Sequence, residues 1–176
     1  IRLIKSLPDI ERLRSLLDEN PPDPQLVCAK AGVILEAALD FLTIHYECQA
    51  PRRHEPRYTL GELLPAVSTK LRAAMRVEVL GGTDAAGQPQ YRTVYLGPIL
   101  DELSKIMQVR NIVGCHFNTL SFDLLESDAL GFGQHVLKLV DALIDPDAGW
   151  PKRDKSGSYW ETSGGSRRLH PYKRPS

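Results

Sequence analysis

The chain has 176 residues, 42% of them hydrophobic and 25% charged, which fits one domain with a real core. No apolar run approaches the roughly 20 residues that a membrane helix needs, and nothing at the start reads as a signal peptide, so no membrane is an expected partner. Net charge is zero but uneven: Lys152, Arg153, Lys155, Arg167, Arg168, Lys173 and Arg174 stand against Asp154 and Glu161, a balance of +5 for residues 150–176 that leaves −5 for residues 1–149.

Cys28, Cys48 and Cys115 are odd in number and form no CxxC pair, so a reduced, cytoplasmic compartment is the expectation. The chain opens on Ile1 rather than Met, as a fragment or a processed product would. In chain order, Ile10, Leu13, Leu16 and Leu17 are spaced for a first helix over 8–19, ended by Asn20-Pro21-Pro22-Asp23-Pro24. A second helix over about 24–48 is so densely apolar that only a packed bundle can bury it, and it carries Glu36 and Asp40 one turn apart. Residues 49–58, rich in Pro and Arg, read as an exposed loop.

Thr59 and Glu62 have the spacing of a capping box for a helix running to about Arg76. The pattern then changes: Val77-Glu78-Val79-Leu80 and Tyr91-Arg92-Thr93-Val94-Tyr95-Leu96 flank a Gly-rich turn, which predicts a small hairpin or loop insertion. Pro98 opens a further helix over about 98–120, and another spans about 127–145, where Asp145-Pro146 stops it. Gly131-x-Gly133 reads as an irregularity within that last helix. Beyond Gly149 the chain is polar and Gly/Ser-rich, with Trp150, Tyr159 and Trp160 as anchors. The expected fold is an all-α antiparallel bundle over 1–149 with an irregular basic extension over 150–176.

The residues with the most chemistry are Arg110-Asn111-Ile112-Val113-Gly114-Cys115-His116, followed by Phe117-Asn118. On one straight helix, Arg110 and His116 stand about 9 Å apart along the axis and about 120° apart around it. They converge if the helix breaks near Gly114, or if a second copy lays its own motif alongside; glycine allows both a break and a close backbone approach. A non-functional alternative pairs Arg110 with Glu36 or Asp40 and leaves His116 and Asn118 to bond nearby backbone. His45-x2-Cys48 is one turn in length, but Cys115 and His116 point about 100° apart on a helix and would hardly share an ion, so no metal or other cofactor is expected. His54, His135 and His170 bring no recognisable partner set.

The spacing of Arg110, Asn111 and His116 resembles the Arg-(Asn/Asp/His)-x(4–6)-His signature of the HEPN superfamily of small helical domains. That resemblance implies a dimer built around the motif helix at Gly114, and RNA cut in the shared cleft without a metal. Arg110 would hold the scissile phosphate, Asn111 would orient, and His116 would move the proton. Asn118, Lys152, Arg153, Arg167 and Arg168 are the expected RNA-binding groups, with Glu36, Asp40 and Gly114 in support. Together with Thr59-Leu60-Gly61-Glu62-Leu63 and Ser156-Gly157-Ser158-Tyr159-Trp160, the motif also resembles the C-terminal region of bacterial ABC-type ATPases, several of them in anti-phage systems. No GxxxxGK[ST] loop is present, so nucleotide hydrolysis would belong to another segment or subunit. The implied function is a toxin-like endoribonuclease module; the alternative is a non-catalytic dimerisation or scaffold module of a larger ATPase complex.

Overall fold

The computed structural model describes residues 6–46, 48, 58–71, 75–113, 126–152 and 159–170. Five helices and four strands follow in the order α1 (Ser6–Asp18), α2 (Pro24–Tyr46), α3 (Leu60–Leu71), β1 (Arg76–Thr83), β2 (Pro89–Tyr95), α4 (Leu96–Val113), α5 (Glu126–Leu143), β3 (Trp160–Glu161) and β4 (Arg167–His170). The strands form one antiparallel sheet in the order β2-β1-β4-β3. The expectation of an all-α bundle is therefore overturned; the fold is mixed α and β.

The expected hairpin is there, but it is half of a sheet. The segment read as an irregular extension supplies the other half. β4 pairs with β1 through Arg76↔His170, Val77↔Leu169, Glu78↔Arg168 and Val79↔Arg167. Three polar residues around a single Leu169 escape a periodicity reading because they are stabilised by a partner some ninety positions upstream, not by their own pattern.

Local chemistry explains the element ends. Asp23 caps α2, its Oδ1 accepting from the amides of Gln25 and Leu26 at 2.9 and 3.1 Å. At α3 the Thr59–Glu62 capping pair forms: Glu62 Oε2 accepts both the Thr59 amide, at 2.9 Å, and the Thr59 hydroxyl, at 3.0 Å. In the β1–β2 turn, Asp84 Oδ1 accepts from Ala86 and Gln88, while Gly87 takes a φ of 76° that a side chain would disfavour. α4 leaves β2 without a loop, and the Leu96 amide donates to the Met75 carbonyl at 3.2 Å.

The helices form a ring. α2 packs on α3 and α5, α4 packs on the same two, and α1 lies across α2 and α5. α2 and α4 thus occupy opposite corners. Inside lie Val27, Leu35, Leu39 and Leu42 of α2, Leu63 of α3, Leu100 and Leu103 of α4, and Phe132, Val136 and Leu139 of α5, all essentially inaccessible. The sheet's inner face joins this core through Val77 and Leu169. Leu96 and Trp160 extend it, the latter tying the C-terminal segment down.

Gly131 and Gly133 both lie within the regular span of α5. Gly133 is the contact point of three helices: a Cβ there would come within 2.5 Å of Val27 Cγ1, 3.4 Å of Leu17 Cδ2 and 3.6 Å of Leu13 Cδ1. Val27 is stiff and fully buried, so it cannot yield cheaply. Gly133→Ala should therefore lower stability by about 1–3 kcal/mol through overpacking, despite the better helix propensity of alanine. Gly131, two residues earlier, has nothing within 4 Å of the same position, so Gly131→Ala should raise stability by about 0.5–1 kcal/mol. Urea unfolding midpoints of the two variants check the opposite signs.

Candidate functional site

Arg110 and Asn111 fall in the last turn of α4, where the backbone is helical. Their side chains, and all of Gly114, Cys115, His116 and Asn118, lie outside the described residues, as do His54 and Arg153. At about 1.5 Å per residue, Arg110 sits about 21 Å along the axis from Leu96, where α4 leaves the sheet. Arg110 and Asn111 are therefore carried to the far end of a helix whose near end is locked to β1 and β2.

Glu36 and Asp40 sit on α2, the first exposed and the second half-buried, at the corner of the ring opposite α4. His135 lies on α5, with its Nδ1 2.7 Å from the Gly131 carbonyl of the preceding turn. Among the described residues no three His, Cys, Asp or Glu side chains gather as a metal site would require. No helix among them is long and apolar enough to cross a membrane.

Of the expected RNA-binding cations, the structure describes Lys152, Arg167 and Arg168. Lys152 joins Glu161 through an isolated backbone bridge beside β3, with the Lys152 amide donating to the Glu161 carbonyl at 2.9 Å. Arg167 and Arg168 are adjacent on β4 and so point to opposite faces. The Arg167 guanidinium turns toward the end of α5, donating to the Asp141 carbonyl at 3.3 Å and the Ser166 carbonyl at 3.1 Å, with Asp145 Oδ2 3.7 Å away.

Arg168 lies on the outer face. Its guanidinium stands 4.2 Å over the Tyr91 ring and 5.2 Å from that of Tyr159, and its Nε is 3.4 Å from Glu161 Oε2. The Tyr91 hydroxyl in turn donates to the Gly165 carbonyl at 3.0 Å, which closes the loop between β3 and β4 onto β2.

Sequence reasoning missed His170. It shares the outer face with Arg76, Glu78 and Arg168, yet it is buried, with the Tyr159 ring 5.2 Å away. Arg76 Nη2 lies 3.3 Å from His170 Nδ1, and Nε2 lies 3.1 Å from Glu78 Oε2. A guanidinium can only donate, so Nδ1 is the acceptor in the contact with Arg76. Arg76-Glu78 on β1 and Arg168-His170 on β4 have the alternating spacing of two strands, but only the register shows that they meet.

Asp145 is the other residue with a perturbed environment. Its Oδ1 accepts from the amides of Ala148 at 2.7 Å and Asp147 at 2.9 Å. The Ala148 amide does most to hold this carboxyl below the ordinary aspartate range; Ser166, the Asp147 amide and the Arg167 charge add to the effect, and burial opposes it. A depressed folded-state value means that the stabilisation is present above the unfolded value and is lost as pH falls through the folded one. Asp145→Ala should thus cost about 1–2 kcal/mol near neutrality, and Asp145→Asn, which keeps the acceptor oxygen, should cost less. Urea midpoints of the wild type and Asp145→Asn should differ at neutral pH and approach one another as pH falls below the ordinary aspartate range, while Asp145→Ala stays lower.

Comparison with protein-family models, with curated proteins and with solved structures finds no match to this chain.

Proposed function

We propose that this chain is a HEPN-type, metal-independent endoribonuclease module, acting in the cytoplasm as the effector of an ABC-type ATPase of anti-phage defence. The observation that carries this reading is the position of Arg110-Asn111. They lie in the final described turn of a long helix packed between α3 and α5, just ahead of Gly114 and His116 in sequence. A phosphate-binding cation and a titrating imidazole either side of a glycine suit phosphodiester chemistry.

In that chemistry the ribose 2′-hydroxyl attacks the adjacent phosphorus and the bond to the 5′-oxygen breaks. A 2′,3′-cyclic phosphate and a 5′-hydroxyl result. His116 takes the 2′-proton or delivers one to the leaving oxygen, and its counterpart in a second copy does the other. Arg110 balances the charge that grows on the phosphate oxygens, and Asn111 orients His116 or the phosphate.

A second reading, a non-catalytic scaffold module of the same ATPase complex, draws on a different observation. Arg167 and Arg168, which an RNA-binding tail would offer to phosphates, are engaged with carbonyls, carboxylates and tyrosine rings of their own chain.

The two readings part on cleavage of total cellular RNA by the intact protein with its ATPase, scored for cyclic-phosphate ends. Arg110→Ala and His116→Ala should each slow cleavage by on the order of 10²-fold or more, with little change in unfolding midpoint. EDTA should leave the rate unchanged. Absence of cleavage by the wild type, or full activity in both variants, overturns the endoribonuclease reading and leaves the scaffold.

A further inference from the structure

The outer face of α2 carries large apolar side chains that the fold leaves in water. Leu26 is 50% exposed, Val33 58% and Ile44 66%, on a helix whose other side is fully buried. With Lys30, Ala37 and Asp40 they recur at steps of four, three, four, three and four residues. At about 100° per residue, those six positions fall within about 40° of one line along the helix. This is the seam spacing by which one helix packs against another.

The seam is complementary to itself when reversed. Turned about a two-fold axis level with position 35, Leu26 meets Ile44, Val33 meets Ala37, and Lys30 meets Asp40, each pair formed twice. The central layer sets a large side chain against a small one, the outer layers are aliphatic, and the charged layers between them are of opposite sign. A parallel pairing would instead set Lys30 on Lys30 and Asp40 on Asp40. We propose that α2 is the docking surface for a second copy of this chain, joined antiparallel through Leu26, Lys30, Val33, Ala37, Asp40 and Ile44.

Lys30 already holds Asp9 of α1 at 2.9 Å, but an ammonium has three donors, and its side chain is 30% exposed. A single pair of helices buries an area at the low end for stable interfaces, so dissociation in the micromolar range is expected, on the order of 10 µM. The pairing does not rest on the endoribonuclease reading. α2 and α4 occupy opposite corners of the ring, so a copy docked on α2 leaves the motif end of α4 open.

Sedimentation of the intact protein over a concentration series reaching roughly 100 µM tests this. The wild type should show a reversible monomer–dimer equilibrium. Val33→Glu and Ile44→Glu should each weaken it tenfold or more, with unchanged circular dichroism, because both side chains are exposed. Lys30→Glu and Asp40→Lys should each lose this association alone and regain it when mixed, since the mixture restores both charged layers. A wild type that stays monomeric throughout overturns the proposal. So does a dimer indifferent to Val33→Glu, or a mixture of the two charge variants that fails to associate.

Discussion

The architecture depends on β1 being paired along both edges. β2 takes one edge through Arg76↔Tyr95 to Thr83↔Pro89, and β4 takes the other through Arg76↔His170 to Val79↔Arg167. A lone hairpin is marginal in water; a third strand and a buried face make it a platform. With β4 in place, Val77 and Leu169 close the core beneath the sheet, and His170 is enclosed above it. α4 continues from β2 without a linker, so the sheet also fixes where that helix starts and, through its rise, where Arg110 ends up.

The charge asymmetry of the sequence takes on a different meaning in this frame. A balance of +5 over residues 150–176 suggests a cationic tail reaching for phosphate. Where that segment is described, both arginines serve the sheet instead: Arg167 ties β4 to the end of α5, and Arg168 stacks on Tyr91 beside Glu161. Each guanidinium is part-buried, where a paired charge is retained for position more than for gain in stability. Charge counted along a chain is not charge presented to a partner.

The helices were legible because each carries its own signal. α2 was readable from Val27, Ile34, Leu35, Leu39 and Leu42, and the start of α3 from Thr59 and Glu62, since these patterns act within a turn or two. β4 was not, because Arg167-Arg168-Leu169-His170 becomes a strand only against Glu78 and its neighbours. The same limit hid the cluster of Arg76, Glu78 and His170. Gly133 shows a third case: within the sequence it is a helix breaker, and in the fold it is the space that lets α5 approach Val27. Of the candidate site, the placement of Arg110 and Asn111 on a helix was readable from Pro98 and the apolar residues that follow. Their three-dimensional neighbours depend on long-range packing that no local pattern encodes.

The ring of helices separates two kinds of surface. Among the described residues α3 and α5 lie between α2 and α4, so a residue change on the outside of α2 reaches the end of α4 through the packed core. A close-packed core transmits small shifts poorly unless it has a second stable arrangement, and the layers here are built on the inaccessible Leu35, Leu39, Leu100, Leu103 and Phe132. Chemistry at Arg110 and association through Val33 should therefore be separable by mutation. The α2 pairing is thus additional to the second copy that the cleavage reading requires: there copies of α4 would meet across a groove, and α2 is the wrong corner on which to bring them together.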